Sequence, residues 1–251
     1  MSLAQNYPLN IPAVLLAAGR GSRLQPLTNT LPKCLVPVAG RPLLDCWLEM
    51  CQKAGFSPVI VNLHYLADQV ASHIAETPYG SGVVRSYESE LLGTGGTLLR
   101  HADMLKNQPF FVAHADNISC FDMREFWRTH CNRPAGCLLT MMLFETAEPW
   151  NCGIVSLDDR GVVQAFYEKD PAARSGLANG AVYFMEPEVL SILAGCGSPA
   201  PDISLDLIPE CIGRIATFRN SVYHRDIGTP ESYEEARKDF AAMPLRFDMS
   251  R

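Results

Sequence analysis

The chain has 251 residues, of which 47% are hydrophobic, and a formal net charge of −6 at pH 7. This length and apolar content suit one α/β domain with a sizeable buried core. The negative net charge, without any run of Lys and Arg interleaved with aromatic residues, argues against a nucleic-acid-binding surface.

The sequence also indicates a cellular compartment. No apolar run approaches membrane-spanning length, and the first residues lack the basic-then-apolar pattern of a signal peptide. None of the nine cysteines belongs to a Cys-x-x-Cys pair, and several fall in amphipathic stretches, where a reduced cysteine packs as a small hydrophobic residue. We therefore expect a cytoplasmic protein with no nucleic-acid partner and no membrane partner.

The first half of the chain alternates short apolar runs with helical spacing. After a tail at 1–10 that we expect to be flexible, strands are predicted at 13–18, 58–63, 83–87 and 110–115, and helices at 43–51 and 66–74. Continuous apolar strands that alternate with helices predict a mostly parallel sheet covered on both faces. Ligands of such sheets bind beyond the carboxyl ends of the strands.

The second half predicts a different pattern, with more strands and a hairpin. Strands are predicted at 136–145, 153–157, 162–167 and 178–185, and helices at 187–193, 204–212 and 230–240. Thr229 and Pro230 are suited to the N-cap and first turn of the last helix. Because no linker separates the two halves, we expect a single domain over residues 1–251.

The most informative stretch follows the first strand, where Gly19 and Gly21 are followed by Arg23 and Lys33. A glycine-bearing turn can present several backbone N–H groups to one anion, and both cations bind phosphate oxygens. The order excludes a P-loop, which needs Lys-Ser/Thr directly after its last glycine. It also excludes the dinucleotide fingerprint, because Leu24 occupies the position of the third glycine.

With these motifs the chain resembles the sugar-1-phosphate nucleotidyltransferases, also called nucleoside-diphosphate-sugar pyrophosphorylases. The resemblance covers almost the whole chain and lies in these ordered segments: Leu16-Ala-Ala-Gly-Arg-Gly-Ser-Arg-Leu-Gln-Pro-Leu-Thr28, Pro32-Lys-Cys-Leu-Val-Pro-Val38, Leu92-Gly-Thr-Gly-Gly96, Glu168-Lys169 with Asn179, and Asp226-Ile-Gly-Thr-Pro-Glu231. It implies a Rossmann-like, mixed but mostly parallel central sheet with helices on both faces. The nucleotide half would be 11–135 and the sugar-phosphate half 136–240.

The resemblance also implies roles for individual residues. It assigns catalysis to Arg23, Lys33, Asp116 and Asp226. The residues that it assigns to the nucleotide are Leu16, Ala17, Ala18, Gly19, Gly21, Ser22, Arg23, Gly93, Thr94 and Gly95. The residues that it assigns to the sugar phosphate are Gly153, Glu168, Lys169 and Asn179. Asp116 and Asp226 would ligate Mg²⁺, which takes carboxylate and phosphate oxygens. Taken alone, however, an aspartate is more often a cap or turn residue, and three glycines are more often a plain turn.

The chain departs from the family pattern at two of these segments. Ala115 replaces the usual glycine before Asp116, where a side chain could crowd a close-lying nucleotide. The order Asn179-Gly180-Ala181 shifts the small residues relative to the commoner order, so the family's contacts at this position do not carry over directly to Gly180.

The implied reaction is Mg²⁺-dependent transfer of a nucleotidyl group from a nucleoside triphosphate to a sugar 1-phosphate, with release of pyrophosphate. The segments Leu92-Gly-Thr-Gly-Gly96 and Asp202-Ile-Ser-Leu-Asp-Leu-Ile-Pro209 favour the guanylyltransferases for mannose or manno-heptose 1-phosphate. Uridylyl, thymidylyl or cytidylyl transfer stays open, as does a catalytically silent regulatory subunit that senses nucleotide sugars. A homo-oligomer is compatible with either interpretation.

Overall fold

The structure, a computed structural model, describes residues 9–170 and 176–242. Most of the predicted tail at 1–10 therefore lies outside the described residues. Within the described part, Leu9 is buried and its N–H donates to the carbonyl of Ala54 at 2.8 Å. Asn10 donates in the same way to the carbonyl of Gly55 at 3.0 Å. These two residues are thus held by main-chain hydrogen bonds.

The described strands and helices alternate along most of the chain. The strands are β1 (Ala13–Leu16), β2 (Pro37–Val38), β3 (Arg41–Pro42), β4 (Val59–Leu63), β5 (Val83–Tyr87), β6 (Phe110–His114), β7 (Asn117–Cys120), β8 (Leu139–Glu145), β9 (Gly153–Leu157), β10 (Val163–Glu168), β11 (Leu177–Met185), β12 (Ile215–Arg219) and β13 (Tyr223–Asp226). The helices are α1 (Leu43–Ala54), α2 (Ala67–Glu76), α3 (Thr94–Arg100), α4 (Ala102–Leu105), α5 (Met123–Cys131), α6 (Glu188–Gly195) and α7 (Pro230–Ala242).

The described chain divides into two compact units, each assembled from separated stretches. Unit 1 contains residues 92–112 and 123–221, apart from 171–175, and unit 2 contains residues 9–91, 113–122 and 222–242. The units do not coincide with the predicted halves 11–135 and 136–240, because two later stretches join the N-terminal one in unit 2. The organisation as a single domain with those halves stays a prediction.

Unit 2 contains three neighbouring parallel strands. β1 pairs with β4 and β4 with β5, all in parallel, and every residue of β1 and β4 is buried. This burial on both faces explains the continuous apolar runs of these strands. A short antiparallel ribbon of β7 and β13 places Asp226 opposite Asn117. The N-cap prediction for α7 is confirmed, since the hydroxyl of Thr229 accepts from the N–H of Ser232 at 3.2 Å.

Unit 1 contains strands that pair mostly in antiparallel fashion. β8 pairs with β11 and β9 with β10 in antiparallel fashion, while β12 pairs with β8 in parallel. The predicted hairpin is therefore confirmed, with Asp158 accepting from two N–H groups of its turn. Three aromatic rings build the core beside α5: Phe184 lies 4.8 Å from Phe126 and 5.0 Å from Trp127, measured between ring centroids.

The predicted α/β class, a mixed sheet with helices, is confirmed, and most strand bounds agree within a few residues. The helix predicted at 204–212 is wrong in detail: a π-helical turn at Ile203–Leu207 is followed by a 3₁₀ turn at Pro209–Cys211. Pro209 has no N–H to donate to a continuing helix. The sequence analysis missed the short elements β2, β3 and α4, and also β7, β12, β13 and α5. Within the described ranges, no helix is long and apolar enough to cross a bilayer.

Candidate active site

The loop after β1 is shaped by glycine and by side-chain bonds to its backbone. Gly21 has a φ of +61°, and a Cβ there would lie 3.0 Å from both the Cβ of Lys33 and the Cγ2 of Thr28. The hydroxyl of Thr28 donates to the carbonyl of Gly21 at 2.8 Å. A larger residue at position 21 would therefore be strained in its backbone and crowded by its neighbours. The 3₁₀ turn Ser22–Leu24 then carries Arg23.

Lys33 lies between two carboxylates at the end of this loop. Its Nζ donates to Oδ2 of Asp116 at 2.7 Å and to Oδ1 of Asp226 at 3.2 Å, and the side chain of Lys33 is only 6% exposed. Asp116 lies two residues after the end of β6, and Asp226 is the last residue of β13. The structure therefore brings three of the four predicted catalytic residues into direct contact.

The pKa values of this group are set by burial and by mutual charge. Burial alone would lower the pKa of Lys33, but the charges of Asp116 and Asp226 and their hydrogen bonds outweigh it, so the pKa is raised. Burial acts against ionisation of Asp116 as well. The charges of Lys33 and His114, with hydrogen bonds from Lys33 and from the backbone, nevertheless hold its pKa below the ordinary value. Lys33 and Asp116 are thus both charged at neutral pH.

Arg23 completes the predicted catalytic group. Its Nη2 lies 3.5 Å from Oδ2 of Asp226, and the two side chains are 63% and 54% exposed. An ion pair this exposed contributes little to stability. The guanidinium is therefore accessible to an anionic ligand at low cost, and its planar fork suits phosphate oxygens.

Gly228 is a site residue that the sequence analysis did not single out, although it lies within the Asp226-Ile-Gly-Thr-Pro-Glu231 segment. A Cβ at Gly228 would lie 2.6 Å from Oδ2 of Asp226 and 3.0 Å from Nη2 of Arg23. Only flexible side-chain ends would meet this added atom. An alanine here would therefore displace the Asp226 carboxylate and the Arg23 guanidinium rather than the backbone.

We expect Gly228→Ala to lower kcat/KM roughly 10- to 100-fold with little change in thermal stability, because small displacements of catalytic groups have effects of this size. Steady-state kinetics and a thermal melt check this. Gly195→Ala is the matched control, since a Cβ there meets nothing within 4 Å. Wild-type kinetics for Gly228→Ala would show that the placement of Asp226 and Arg23 has no influence on turnover.

The chemistry of this group fits a divalent cation. Asp116 and Asp226 converge on one ammonium group and offer hard carboxylate oxygens, which Mg²⁺ prefers. In the described part of the chain, there is no group of three or more His, Cys, Asp or Glu side chains that could hold a metal ion by itself. Two carboxylates would suffice for a Mg²⁺ ion that takes its other ligands from phosphates and water.

The sequence analysis also missed a buried support for the loop. The Oδ1 of Asn62 accepts from the N–H of Ala17 at 2.6 Å, and its Nδ2 donates to Oε1 of Glu88 at 3.1 Å. Asn62 and Glu88 are both buried. A polar residue isolated within the apolar strand Val59–Leu63 was the available signal, because a buried amide requires hydrogen-bond partners.

The second glycine cluster, in unit 1, packs against a neighbouring segment. Gly93 has a φ of +79°, and a Cβ there would lie 2.4 Å from the carbonyl oxygen of Pro201. This same oxygen accepts from the N–H groups of Gly95 and Gly96 at 2.8 and 3.1 Å. Close backbone packing therefore accounts for the small residues. Contact of Gly93, Thr94 and Gly95 with a base stays a prediction.

The structure brings together three of the four predicted sugar-phosphate residues. Glu168 pairs with Gly153 between β10 and β9, and a Cβ on Gly153 would lie 2.7 Å from Oε2 of Glu168. Lys169 follows with its Nζ 3.6 Å from Oε1 of Glu168. Asn179 differs, because its Nδ2 donates to the hydroxyl of Tyr183 at 2.7 Å and its Oδ1 accepts from the N–H of Ala181 at 2.9 Å. Its amide is thus engaged within a bulge of β11.

Comparison with known proteins places this geometry in context. The profile of the nucleotidyl transferase family matches residues 12–242. Mannose-1-phosphate guanylyltransferase catalytic subunit beta of Drosophila melanogaster is 31% identical over 88% of this chain and 60% of its own length. UTP–glucose-1-phosphate uridylyltransferase of Synechocystis is 27% identical over 80% of this chain and 55% of its own length. The chain thus spans about three fifths of the length of these relatives.

A solved structure extends the comparison to three dimensions. The crystal structure of HddC from Yersinia pseudotuberculosis complexed with GMP-PN has a TM-score of 0.75 and 27% sequence identity. The match covers 92% of this chain and 99% of that chain.

Proposed function

Because the chain belongs to the nucleotidyl transferase family, we propose that it transfers a nucleotidyl group from a nucleoside triphosphate to a sugar 1-phosphate and releases pyrophosphate. The observation that carries the proposal is the group of Lys33, Asp116, Asp226 and Arg23 beside the glycine loop after β1. One buried cation, Lys33, and one exposed cation, Arg23, both paired with carboxylates, suit a reaction in which negative charge moves between phosphates.

In this reaction an oxygen of the sugar phosphate attacks the α-phosphorus of the triphosphate in line with the departing pyrophosphate. The nucleophile is already anionic, so no general base is required. Arg23 binds the triphosphate through its exposed guanidinium, and Lys33 stabilises charge that develops on the α-phosphate and the leaving group. The loop residues Leu16, Ala17, Ala18, Gly19, Gly21 and Ser22 hold the nucleotide, together with Gly93, Thr94 and Gly95.

The family generally uses a divalent metal, and we propose Mg²⁺ for this chain. Asp116 and Asp226 would hold it. When bound there, such an ion would neutralise phosphate charge and polarise the phosphoryl oxygens. Lys33 contacts both carboxylates, so it also fixes how far apart these oxygens lie.

We assign the sugar phosphate to Gly153, Glu168, Lys169 and Asn179. Glu168 accepts from sugar hydroxyls and Lys169 binds the phosphate, since a carboxylate is an acceptor and an ammonium a compact cation. The side chain of Lys169 is 61% exposed and hence accessible. An amide has two donors and two acceptor sites, so Asn179 can bind a sugar hydroxyl in addition to Tyr183 and Ala181.

We place this reaction in the cytoplasm. All nine cysteines, which lie within the described residues, are thiols rather than halves of disulfides, and most of them are buried. Burial raises the pKa of Cys34 and Cys46 to about 12, which keeps both thiols protonated and inert. Homo-oligomerisation stays a prediction.

We expect GTP to be the preferred nucleotide, with mannose 1-phosphate or a manno-heptose 1-phosphate as acceptor. The relative from Drosophila melanogaster is named for guanylyl transfer to mannose 1-phosphate, and the HddC structure holds GMP-PN. A site that hydrogen-bonds guanine would leave buried polar groups unpaired against a pyrimidine, so discrimination should be strong.

Pyrophosphate release with GTP, ATP, UTP, dTTP and CTP against a panel of sugar 1-phosphates tests both the reaction class and the preference for GTP. A higher kcat/KM for a pyrimidine nucleotide with the best acceptor would overturn the guanylyl assignment and leave the reaction class intact. No pyrophosphate from any pair would overturn the reaction class and favour a regulatory subunit. Gly95→Val is a poor probe of base contact, because its Cβ would already lie 2.6 Å from Cδ2 of Leu193.

A further inference from the structure

We propose that Thr94 and Asp202 form a latch that positions the glycine loop 93–96 for the nucleotide, which makes both of them positioning residues for nucleotide affinity. The inference rests on the proposed function, because that function assigns loop 93–96 to the nucleoside triphosphate. It also gives a role to the segment Asp202–Pro209, whose task the sequence analysis left undefined.

The hydroxyl of Thr94 is the centre of the latch. It donates to Oδ2 of Asp202 at 2.9 Å and accepts from the N–H of Ile203 at 2.7 Å. The Thr94 hydroxyl thus donates one hydrogen bond and accepts another. Its two partners, Asp202 and Ile203, are consecutive residues more than a hundred positions further along the chain. Only serine, among the other residues, offers a hydroxyl at the same distance from the backbone.

Asp202 is held firmly on its other side. Its Oδ1 accepts from the N–H groups of Ser204 and Leu205 at 2.8 and 3.1 Å, and its own N–H donates to Oδ2 of Asp206 at 2.7 Å. These bonds cap the π-helical turn Ile203–Leu207. Turns of this type are rare and occur frequently at functional sites. The carboxylate that receives Thr94 is therefore fixed in position by its own segment.

Pro201 extends the latch to the backbone of the glycine loop. Its carbonyl oxygen accepts from both Gly95 and Gly96, and a Cβ at Gly95 would lie 3.0 Å from it. Residues 93–96, which form the N-cap and first turn of α3, are thus held by the segment 201–206 in addition to the bond from the N–H of Thr97 to the carbonyl of Gly93 at 3.1 Å. A loop fixed in advance loses less entropy when a ligand binds. The latch should consequently act on nucleotide affinity.

Thr94→Val tests the latch, because it keeps the side-chain shape and removes both hydrogen bonds. We expect the Kd for GTP, measured by calorimetry with Mg²⁺ and without sugar phosphate, to rise about tenfold, the effect of about one net hydrogen bond. Amide hydrogen exchange at Gly95 and Gly96 should accelerate, while the KM for the sugar 1-phosphate should stay unchanged. Thr94→Ser should restore the Kd and the exchange rates.

Thr129→Val is the matched control, since Thr129 loses only an exposed bond to the carbonyl of Glu125. An unchanged GTP Kd in Thr94→Val, or an equal loss of affinity for both substrates, would overturn the latch. Failure of Thr94→Ser to restore the Kd would overturn it as well. A wild-type protein that binds GTP but releases no pyrophosphate with any acceptor would overturn the proposed function, and the Kd comparison would still decide on the latch.

Discussion

Replacing Asp226 with Asn is expected to lower kcat on the order of 10²-fold or more, while the protein stays folded. Asn keeps the size of the side chain but loses the negative charge, and a neutral amide is a poor ligand for Mg²⁺. The side chain of Asp226 is 54% exposed, so the fold depends little on its charge. Its contacts with Lys33 and Arg23 nevertheless place it at the centre of the proposed site.

Pyrophosphate release measures this effect, and chelation of divalent metal should abolish turnover by the wild type. Asp103→Asn is the control for loss of an acidic charge, because Asp103 is 93% exposed and pairs only with Lys106 among the contacts described. Restoration by added Mg²⁺ after chelation separates metal removal from damage to the protein. If Asp226→Asn turns over at the wild-type rate at ordinary Mg²⁺, Asp226 does not belong to the active site.

The sequence analysis predicted the parts of the site that are encoded by short ordered motifs. The roles of Arg23, Lys33, Asp116 and Asp226 were implied by the family resemblance, since an aspartate taken alone is more often a cap or turn residue. Their mutual contacts were not accessible from the sequence. Lys33 lies 83 positions from Asp116 and 193 from Asp226, and the folded chain brings these residues together, in part through the β7–β13 ribbon that places Asp226 opposite Asn117.

Features that depend on exact packing were also missed. The requirement for glycine at position 228 arises from two side-chain ends that converge from distant segments. The helix predicted at 204–212 satisfied apolar periodicity, yet Asp202 caps a π-helical turn there and Thr94 from another segment bonds to it. Apolar periodicity identifies which residues are buried, but it does not distinguish α-helical from π-helical hydrogen bonding.

Replacing Lys33 with Ala is expected to lower kcat on the order of 10²-fold or more and to change the KM for the nucleotide much less. A cation beside the departing pyrophosphate interacts most strongly with charge that develops in the transition state. Loss of Lys33 also leaves Asp116 and Asp226 facing each other without their shared cation. Their repulsion would move the two carboxylates apart and so disturb the placement of the proposed Mg²⁺ ligands.

The stability of the Lys33→Ala variant needs a separate measurement, because removing one partner of a buried ion pair lowers the free energy of unfolding by about 3–5 kcal/mol. Here the carboxylates are 31% and 54% exposed, so the loss should be smaller. Lys33→Met retains most of the buried stem and should match Lys33→Ala in kcat while unfolding at a higher urea concentration. Lys106→Ala, at an exposed pair, is the charge control. A rise in the KM for the nucleotide with unchanged kcat would show that Lys33 only anchors the triphosphate.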